Sequence, residues 1–354
     1  MTIRAMWNFN HIPPGTLTGA VRFTLNSYGI TYIAAGFGTF NGTTKIDVLA
    51  DGSIECYVGG NNSQSPMVSL ISVPCSAITD GVSPKSYFGF RVTESPVWSL
   101  STHNLCLSIN DILVIAREDP ALPAKGTTFY LEVGIDRVKK EITFYVDNVL
   151  VKTMSDASVA PIIAAYKDAS PWKWGYHGYY SFGNSDKINF SNAYFADEVA
   201  GETESARQGP VVISPIIFKS AVGDGWTSSD SKPLLDDLLT PYNTAAALTA
   251  PVIRSNDPYG VLQLGLDASI APSQSIKAVQ FLFDGYRHAR TTTKPVLTVD
   301  DGTNSKVVPP FTFTANTTID YGLKSGINTV APDGSNWTLD KLKASKLLVN
   351  CTDS

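Results

Sequence analysis

The sequence predicts an all-β protein made of two antiparallel, jelly-roll-like β-sandwiches in tandem. Hydrophobic residues make up 43% of the 354-residue chain and charged residues only 17%, with 27 Gly and 21 Pro. This composition is typical of many short strands separated by turns. Residues 129–153 also alternate apolar and polar side chains in the pattern of a β-meander. A meander with one apolar face is marginal alone and needs a second sheet against it.

The meander is the clearest architectural signal in the chain. Apolar residues occupy every second position in 129–135 and again in 142–146, which indicates two half-buried strands. Asp147 and Asn148 follow, and both residue types tolerate positive φ, so they predict a tight turn before a third strand.

Shorter strand patterns surround the meander in the first half. An Asp51-Gly52 pair between two alternating runs predicts a hairpin. Prolines fall in the connections and not at strand centres, as strand pairing requires. The further predicted strands lie in residues 6–10, 20–25, 31–35, 67–115 and 187–195.

A polar, acidic stretch at residues 196–210 separates the two halves and is typical of an interdomain connection. The predicted domains are therefore residues 1–205, a larger sandwich, and residues 206–354, a smaller one. In the second half we expect a short helix or turn at 230–239, followed mainly by strands.

Two local signals are specific in the second half. Asp301-Gly302 predicts a turn between strands. Thr338, with Asp340 in the following turn, predicts the N-cap of a short helix that precedes a final strand at 347–351.

Composition also excludes several partners. The net charge of -5 provides no basic field for a phosphate backbone, so we expect no nucleic-acid partner. No run approaches the roughly 20 apolar residues that span a bilayer, and no export signal is visible, so we expect no membrane insertion.

The pattern of potential metal ligands predicts neither a metal nor a cofactor. Cys56, Cys75, Cys106 and Cys351 lie far apart and form no zinc motif, which favours buried thiols. The acidic turns at Asp300-Asp301 and Asp333 offer oxygen ligands for Ca²⁺, but Asp is also the ordinary residue of tight turns. The turn interpretation is preferred.

No catalytic residues are predicted, so we expect a protein that is not an enzyme. The chain lacks the GxSxG and HExxH motifs. Glu132 and Asp136 lie on one face of the first meander strand, which makes a carboxylate pair geometrically possible. Solvated, outward-facing charges are the preferred interpretation.

An aromatic segment, SPWKWGYHGYYSFGN, supplies the candidate binding residues. Exposed rings stack on sugars or anchor interfaces, whereas the competing interpretation is a strand whose aromatics pack on both faces. Lys173, His177 and the glycines favour a loop for part of it. If the rings bind a partner, replacing Trp172 and Trp174 together with alanine should impair assembly or attachment and leave the chain folded. The candidates are Trp172, Trp174, Tyr176, Tyr179 and Tyr180.

Several stretches together resemble a known family. WNF near the start, YLEVGIDRVKKEITFYVDN in the meander and INFSNAYFAD resemble the concanavalin A-like or laminin-G-like domains of tailed-bacteriophage structural proteins. ETESARQGPVVISPIIFKSAVGDGW, KAVQFLFDGYRHAR and PDGSNWTLDKLKASKLLV resemble the C-terminal half of those proteins.

The resemblance implies a non-enzymatic structural component of a phage virion, on the tail or capsid surface. The implied partners are other virion proteins and further copies of the chain in a homo-oligomer. The alternative is a carbohydrate-binding module that attaches the virion to host glycans, although the first domain lacks the Ca²⁺/Asn ligand set of sugar-binding members. A glycan-degrading enzyme ranks third, since no acid/base pair is apparent. A sandwich fold by itself selects none of these.

Overall fold

The chain divides into two compact units, Met1–Ile213 and Ser214–Ser354, in a computed structural model. The sequence predicts the boundary at 205/206, and in the structure the described residues 207–213 group with the first unit. The structure describes residues 2–8, 14–16, 31–36, 41–61, 65–74, 83–94, 105–109, 112–116, 119–124, 126–155, 157, 159–164, 171–178, 181–182, 187–198, 207–228, 230–239, 253–255, 261–271, 274–285, 294–308, 320–324 and 327–352.

The first unit contains one short helix, α1 (Val159–Ala164), among its described residues and otherwise consists of strands. Their bounds are β1 (Thr2–Trp7), β2 (Gly15–Thr16), β3 (Thr31–Gly36), β4 (Asn41–Val48), β5 (Ile54–Asn61), β6 (Ser65–Pro74), β7 (Lys85–Glu94), β8 (Leu105–Ile109), β9 (Ile112–Ile115), β10 (Thr128–Asp136), β11 (Glu141–Val146), β12 (Val149–Met154), β13 (Pro171–Gly178), β14 (Ser181–Phe182) and β15 (Lys187–Asp197).

These strands form two antiparallel sheets. The ten-stranded sheet has the order β12-β11-β10-β7-β15-β5-β4-β2, with β1 beside β15 and β14 beside β5. The five-stranded sheet has the order β3-β6-β13-β8-β9. One hydrophobic cluster takes residues from both sheets, including Phe88 and Val133 from the first and Leu107 from the second. The two sheets therefore share a core, as in a β-sandwich.

The predicted meander is confirmed as β10, β11 and β12, and local sequence explains its turns. Asp147 (φ 46°) and Asn148 (φ 73°) both take the left-handed conformation that the turn requires. The Asp51-Gly52 hairpin between β4 and β5 is confirmed as well, with the Leu49 amide donating to the Ser53 carbonyl at 2.9 Å.

Strand β15 contains a bulge that changes which face its residues occupy. Its register against β7 shifts between Ser191 and Tyr194, where Asn192 has a φ of 52°. Before the bulge Phe190 is buried in the core, and after it Phe195 takes that role and stacks on Phe88 at 5.7 Å between ring centroids.

The second unit is also mainly antiparallel β. Its five-stranded sheet has the order β16-β19-β24-β21-β22, and two further pairs are β17-β18 and β20-β23. The bounds are β16 (Ile217–Asp224), β17 (Trp226–Ser228), α2 (Leu234–Leu239), β18 (Ile253–Ser255), β19 (Val261–Asp267), β20 (Leu282–Gly285), β21 (Lys294–Asp300), β22 (Ser305–Val307), β23 (Asp320–Lys324), α3 (Leu339–Ala344) and β24 (Lys346–Thr352).

A separate core holds the second unit together. Leu264 of β19 and Leu347 of β24 pack in it with Trp337, whose indole N–H donates to the Asn328 carbonyl at 3.1 Å. The predicted cap is confirmed, since the Thr338 hydroxyl accepts from the Lys341 amide at 3.2 Å. The Asp301-Gly302 turn between β21 and β22 is confirmed too, with Gly302 at φ 89°.

The all-β, antiparallel fold class is thus confirmed. The described helices have six residues each. Within the described ranges, none is long and apolar enough to cross a membrane.

Candidate functional site

The face of the ten-stranded sheet that points away from the core is polar. On β7, Phe88, Phe90 and Val92 are buried in the core, so Arg91 and Thr93 lie on the opposite face. The same alternation on β15 places Ile188 and Phe190 inward. We call this polar side the outer face.

One region of the outer face, which we call the open patch, consists of Arg91, Thr93, Thr128, Asn189 and Ser191. Its members lie opposite one another on three adjacent strands. The register pairs Arg91 with Ser191 and Thr93 with Asn189 between β7 and β15, and Thr128 with Thr93 between β10 and β7. Thr128 is exposed and the other four are half-buried. Paired strands on both sides of β7 therefore hold five polar side chains next to one another.

The hydrogen-bonding capacity of the open patch is only partly used. The Thr93 and Thr128 hydroxyls are 2.8 Å apart, and the Ser191 hydroxyl accepts from the side-chain Nδ2 of Asn192 at 3.4 Å. Within the part of the chain that the structure describes, neither Arg91 nor Asn189 has a side-chain hydrogen bond or ion pair, and the buried Nε of Arg91 has no acceptor. The terminal guanidinium nitrogens of Arg91 and the side-chain amide of Asn189 are not among the buried unsatisfied atoms, so they keep donors available to a ligand.

An ion pair borders the open patch on the side of β5. The Lys187 ammonium lies 2.5 Å from Oε1 of Glu55, which pairs in register with Asn189. The Glu55 carboxylate is thereby already engaged, so it does not compensate the charge of Arg91.

The other region of the outer face is covered by residues 207–213, which we call the strap. Its anchor is Glu132 on β10, only 1% exposed. Oε2 of Glu132 accepts from Arg207 at 2.8 Å, and Oε1 accepts from the Gln208 and Gly209 amides at 3.2 and 3.0 Å. The Tyr194 hydroxyl donates to the same Oε1. The buried carboxylate is therefore fully satisfied.

Further contacts hold the strap at both ends. The Arg207 guanidinium stacks on Tyr145 at 4.3 Å from the ring centroid and donates to Asn148 at 3.3 Å. At the other end, the Ile213 amide donates to the Asn192 side chain at 2.9 Å. These contacts explain why the strap belongs to the first unit.

Buried tyrosines fill the space under the strap. Gly89 makes room for them, because a Cβ at this position would lie 2.5 Å from the Tyr130 ring and 2.7 Å from the Tyr194 ring. Burial, followed by the charge of Glu132, raises the pKa of both tyrosines well above the usual 10. Burial also raises the pKa of nearby Tyr87 to about 12. All three hydroxyls are therefore protonated at neutral pH.

The expectation that Glu132 and Asp136 are solvated charges is wrong. Both lie on the outer face as alternation predicts, but Glu132 is covered by the strap and Asp136 is 9% exposed. Asp136 Oδ1 accepts from the Val138 and Lys139 amides at 3.0 and 2.8 Å, which closes the turn to β11. Both carboxylates therefore stabilise the fold through hydrogen bonds within the chain.

The structure describes only part of the aromatic segment. Residues 171–178 form β13, a central strand of the five-stranded sheet, so this part is not a loop. Trp172, Trp174 and Tyr176 are paired in register with Ile109, Leu107 and Leu105, all buried core residues. Tyr179 and Tyr180 lie outside the described residues. A binding role for these five aromatics stays a prediction.

The acidic turns of the second unit use their carboxylates internally. Asp301 Oδ1 accepts from the Thr303 and Asn304 amides at 2.9 and 2.7 Å. Lys341 lies 2.6 Å from Asp333 and holds the pKa of that carboxyl well below its usual range. Across the described ranges, no three His, Cys, Asp or Glu side chains group as metal ligands would.

Two of the four cysteines lie within the described side chains. Cys56 and Cys106 are buried, as the sequence predicts, and burial raises the pKa of the Cys56 thiol. Such a thiol is chemically inert.

Comparison with known proteins assigns no family. No family model matches the chain, and no curated protein matches its sequence. Solved structures similar to it include peanut lectin (12% identity over 54% of this chain and 96% of the lectin, TM-score 0.30). A CBM2 module of the evolved Dit protein of Lactobacillus casei BL23 phage J-1 is also 12% identical, over 55% of this chain and 94% of the module (TM-score 0.29). A sialidase is 8% identical over 55% of this chain but 18% of its own (TM-score 0.34). Similarity at this level assigns no activity.

Proposed function

We propose that the chain is a non-enzymatic carbohydrate-binding protein that attaches a phage virion to host glycans, with the open patch as its sugar-binding surface. The observation that carries the proposal is a set of amide, hydroxyl and guanidinium groups with spare hydrogen-bonding capacity on rigid strands. Sugar hydroxyls both donate and accept, so they pair with such groups. Sites on strands also hold their side chains more accurately than sites on loops do. The virion location follows the family resemblance.

A glycan array followed by calorimetry tests this proposal. We expect saturable binding of at least one saccharide class by the purified chain. The double variant Thr93→Ala/Asn189→Ala should weaken that binding by about tenfold, because each lost hydrogen bond is worth about 0.5–1.5 kcal/mol. Thr153→Ala, an exposed threonine on the edge strand β12, is the matched control and should bind like the parent.

Four results would count against the proposal. The absence of saturable binding, or a double variant that binds like the parent, would exclude the open patch. Loss of binding in a folded Trp172→Ala/Trp174→Ala variant would instead assign the site to the aromatic segment. Release of products from host polysaccharide would contradict the non-enzymatic part of the proposal.

A second candidate function is protein–protein assembly within the virion. The observation that favours it is β12, an edge strand of the ten-stranded sheet. Its first three residues, Val149, Leu150 and Val151, are 63%, 52% and 37% exposed. An exposed apolar edge strand is a template for pairing with another chain.

The oligomeric state of the purified chain tests the assembly function. If copies associate through β12, sedimentation should show an oligomer that Leu150→Lys converts to a monomer of unchanged fold. A monomeric parent at high concentration, or an oligomer insensitive to Leu150→Lys, would exclude self-association through this strand. Labelling of purified particles with an antibody to the chain tests the virion location.

A further inference from the structure

We infer that the open patch selects saccharides that carry an anionic group, with Arg91 as the residue that recognises the charge. This inference rests on the proposed function and narrows it from saccharides in general to acidic ones. Carboxylated and phosphorylated saccharides share the recognised group, a pair of anionic oxygens that accept hydrogen bonds from a guanidinium.

The first argument is that the charge of Arg91 is not compensated by the acidic groups near it. Glu132 lies two residues from Tyr130, the β10 partner of Arg91, but it is bound by Arg207 and the strap amides. Glu55, beyond β15, is bound by Lys187. Arg91 itself makes no ion pair with any residue in the described ranges.

The second argument is energetic. A half-buried guanidinium without an acceptor has lost part of its hydration and gained nothing in return, which is costly unless a ligand supplies the partner. A planar anionic group suits it best, because the guanidinium fork makes two parallel charge-assisted hydrogen bonds to such a group.

The third argument is position. Arg91 lies in β7 between its register partners on the two neighbouring strands, Ser191 of β15 and Tyr130 of β10. Thr93 lies two residues further along β7, about 7 Å away at 3.3–3.4 Å per residue, and Asn189 is its register partner on β15. The charge-recognising group and the hydroxyl-binding groups therefore lie side by side on one face, as recognition of an acidic sugar requires.

The net charge of the chain makes the inference specific. At -5 overall, the chain has no general attraction for anions. Selectivity for acidic sugars must then come from a local contact and not from the field of the whole protein.

The experiment compares matched ligands and matched variants by calorimetry. The probes are oligogalacturonate, alginate and hyaluronan oligomers, each beside its carboxyl-reduced form, and mannose 6-phosphate beside mannose. We expect the parent chain to bind at least one acidic probe about ten- to a hundredfold more tightly than its neutral form. Arg91→Met should lose this preference, and Arg91→Lys, which keeps the charge without the fork, should lose part of it. Lys85→Met, a charge-removing control six residues away on the same strand and face, should keep it.

The outcomes separate the inference from the function on which it rests. Equal binding of acidic and neutral forms by the parent, or a preference that survives in Arg91→Met, would overturn the inference and leave carbohydrate binding intact. No binding of any saccharide would overturn both. A preference confined to mannose 6-phosphate would support the inference with phosphate as the anionic group. Circular dichroism of each variant confirms that the fold is kept.

Discussion

The strap-covered region and the open patch occupy the same polar face of one sheet, yet their polar groups are used in opposite ways. Under the strap, Glu132 is almost fully buried and accepts hydrogen bonds from a tyrosine, an arginine and two backbone amides. In the open patch, Arg91 and Asn189 are half-buried and keep unused donors. Satisfied polar groups stabilise a fold, whereas unsatisfied ones at a surface are available for binding.

This comparison predicts that substitutions in the two regions have different consequences. Changes under the strap should lower the free energy of unfolding and leave ligand affinity nearly intact. Changes in the open patch should lower affinity and leave stability nearly intact. The four predictions below test the stability side of this contrast, from the largest expected effect to the smallest.

Glu132→Ala should have the largest effect. It leaves Arg207 and two strap amides without their acceptor, and removing one partner of a buried ion pair costs about 3–5 kcal/mol. Denaturant unfolding measures the loss. Glu55→Ala is the control, because it breaks a more exposed pair on the same face and should cost under about 1 kcal/mol. Equal losses in the two variants would contradict the contrast.

The second-largest effect is expected at alkaline pH, which should destabilise the region under the strap. The pKa values of Tyr87, Tyr130 and Tyr194 are raised above 10 in the folded chain, chiefly by burial. The stabilisation that these protonated hydroxyls contribute is therefore fully present below pH 10. It is lost as the pH rises from 10 through the folded-state pKa values. For Tyr87 this window runs from 10 to about 12.

Tyrosinate absorbance, followed with circular dichroism, measures this titration. We expect a group of the 15 tyrosines to ionise only as the chain unfolds. If all of them ionise near pH 10 while the fold persists, the tyrosines under the strap are solvated, which would contradict their burial.

Gly209→Ala should have an intermediate effect. Gly209 has a φ of 67°, and a Cβ there would collide with the Asn148 side chain that accepts from Arg207. The left-handed backbone costs about 1–2 kcal/mol, and displacement of Asn148 adds to it. Gly302→Ala is the control, since Gly302 also has positive φ (89°) but no atom near a Cβ. If thermal unfolding shows a larger loss of stability for Gly302→Ala than for Gly209→Ala, the strap does not contact Asn148 tightly.

Thr128→Val should have the smallest effect. It removes one hydroxyl of the Thr93–Thr128 pair in the open patch and keeps the side-chain shape and strand preference. The free energy of unfolding should change by no more than about 0.5 kcal/mol in denaturant titrations. A loss comparable to that of Glu132→Ala would show that the open patch contributes to the fold as the strap does.

Features that depend on neighbours in sequence could be predicted. The Asp147-Asn148 turn and the Thr338 cap each follow from one or two residues whose side chains and backbone angles act locally. The alternation of β10 and β11 likewise shows which residues face the core. These local signals were sufficient for the fold class.

Features that depend on distant residues could not be predicted. Alternation placed Glu132 on the outer face, but its burial comes from residues 207–209, 75 or more positions away, in a polar stretch that resembles a linker. Arg91 carries no local mark in the sequence, since its unpaired state depends on Glu55 and Glu132 being engaged elsewhere. The central position of β13 also depends on strands far from it in sequence.

The bulge in β15 has a consequence for how the gene can change. Phe190 and Phe195 are an odd number of residues apart, so simple alternation would place them on opposite faces, and the extra residue near Asn192 places both in the core. Deleting the codon for Asn192 would remove the bulge and leave an even interval, so Phe195 would stay opposite Phe88 and in the core. The deletion would instead remove the Asn192 contacts with Ile213 and Tyr130. In related chains, a single-residue deletion in this strand should therefore be found at the bulge.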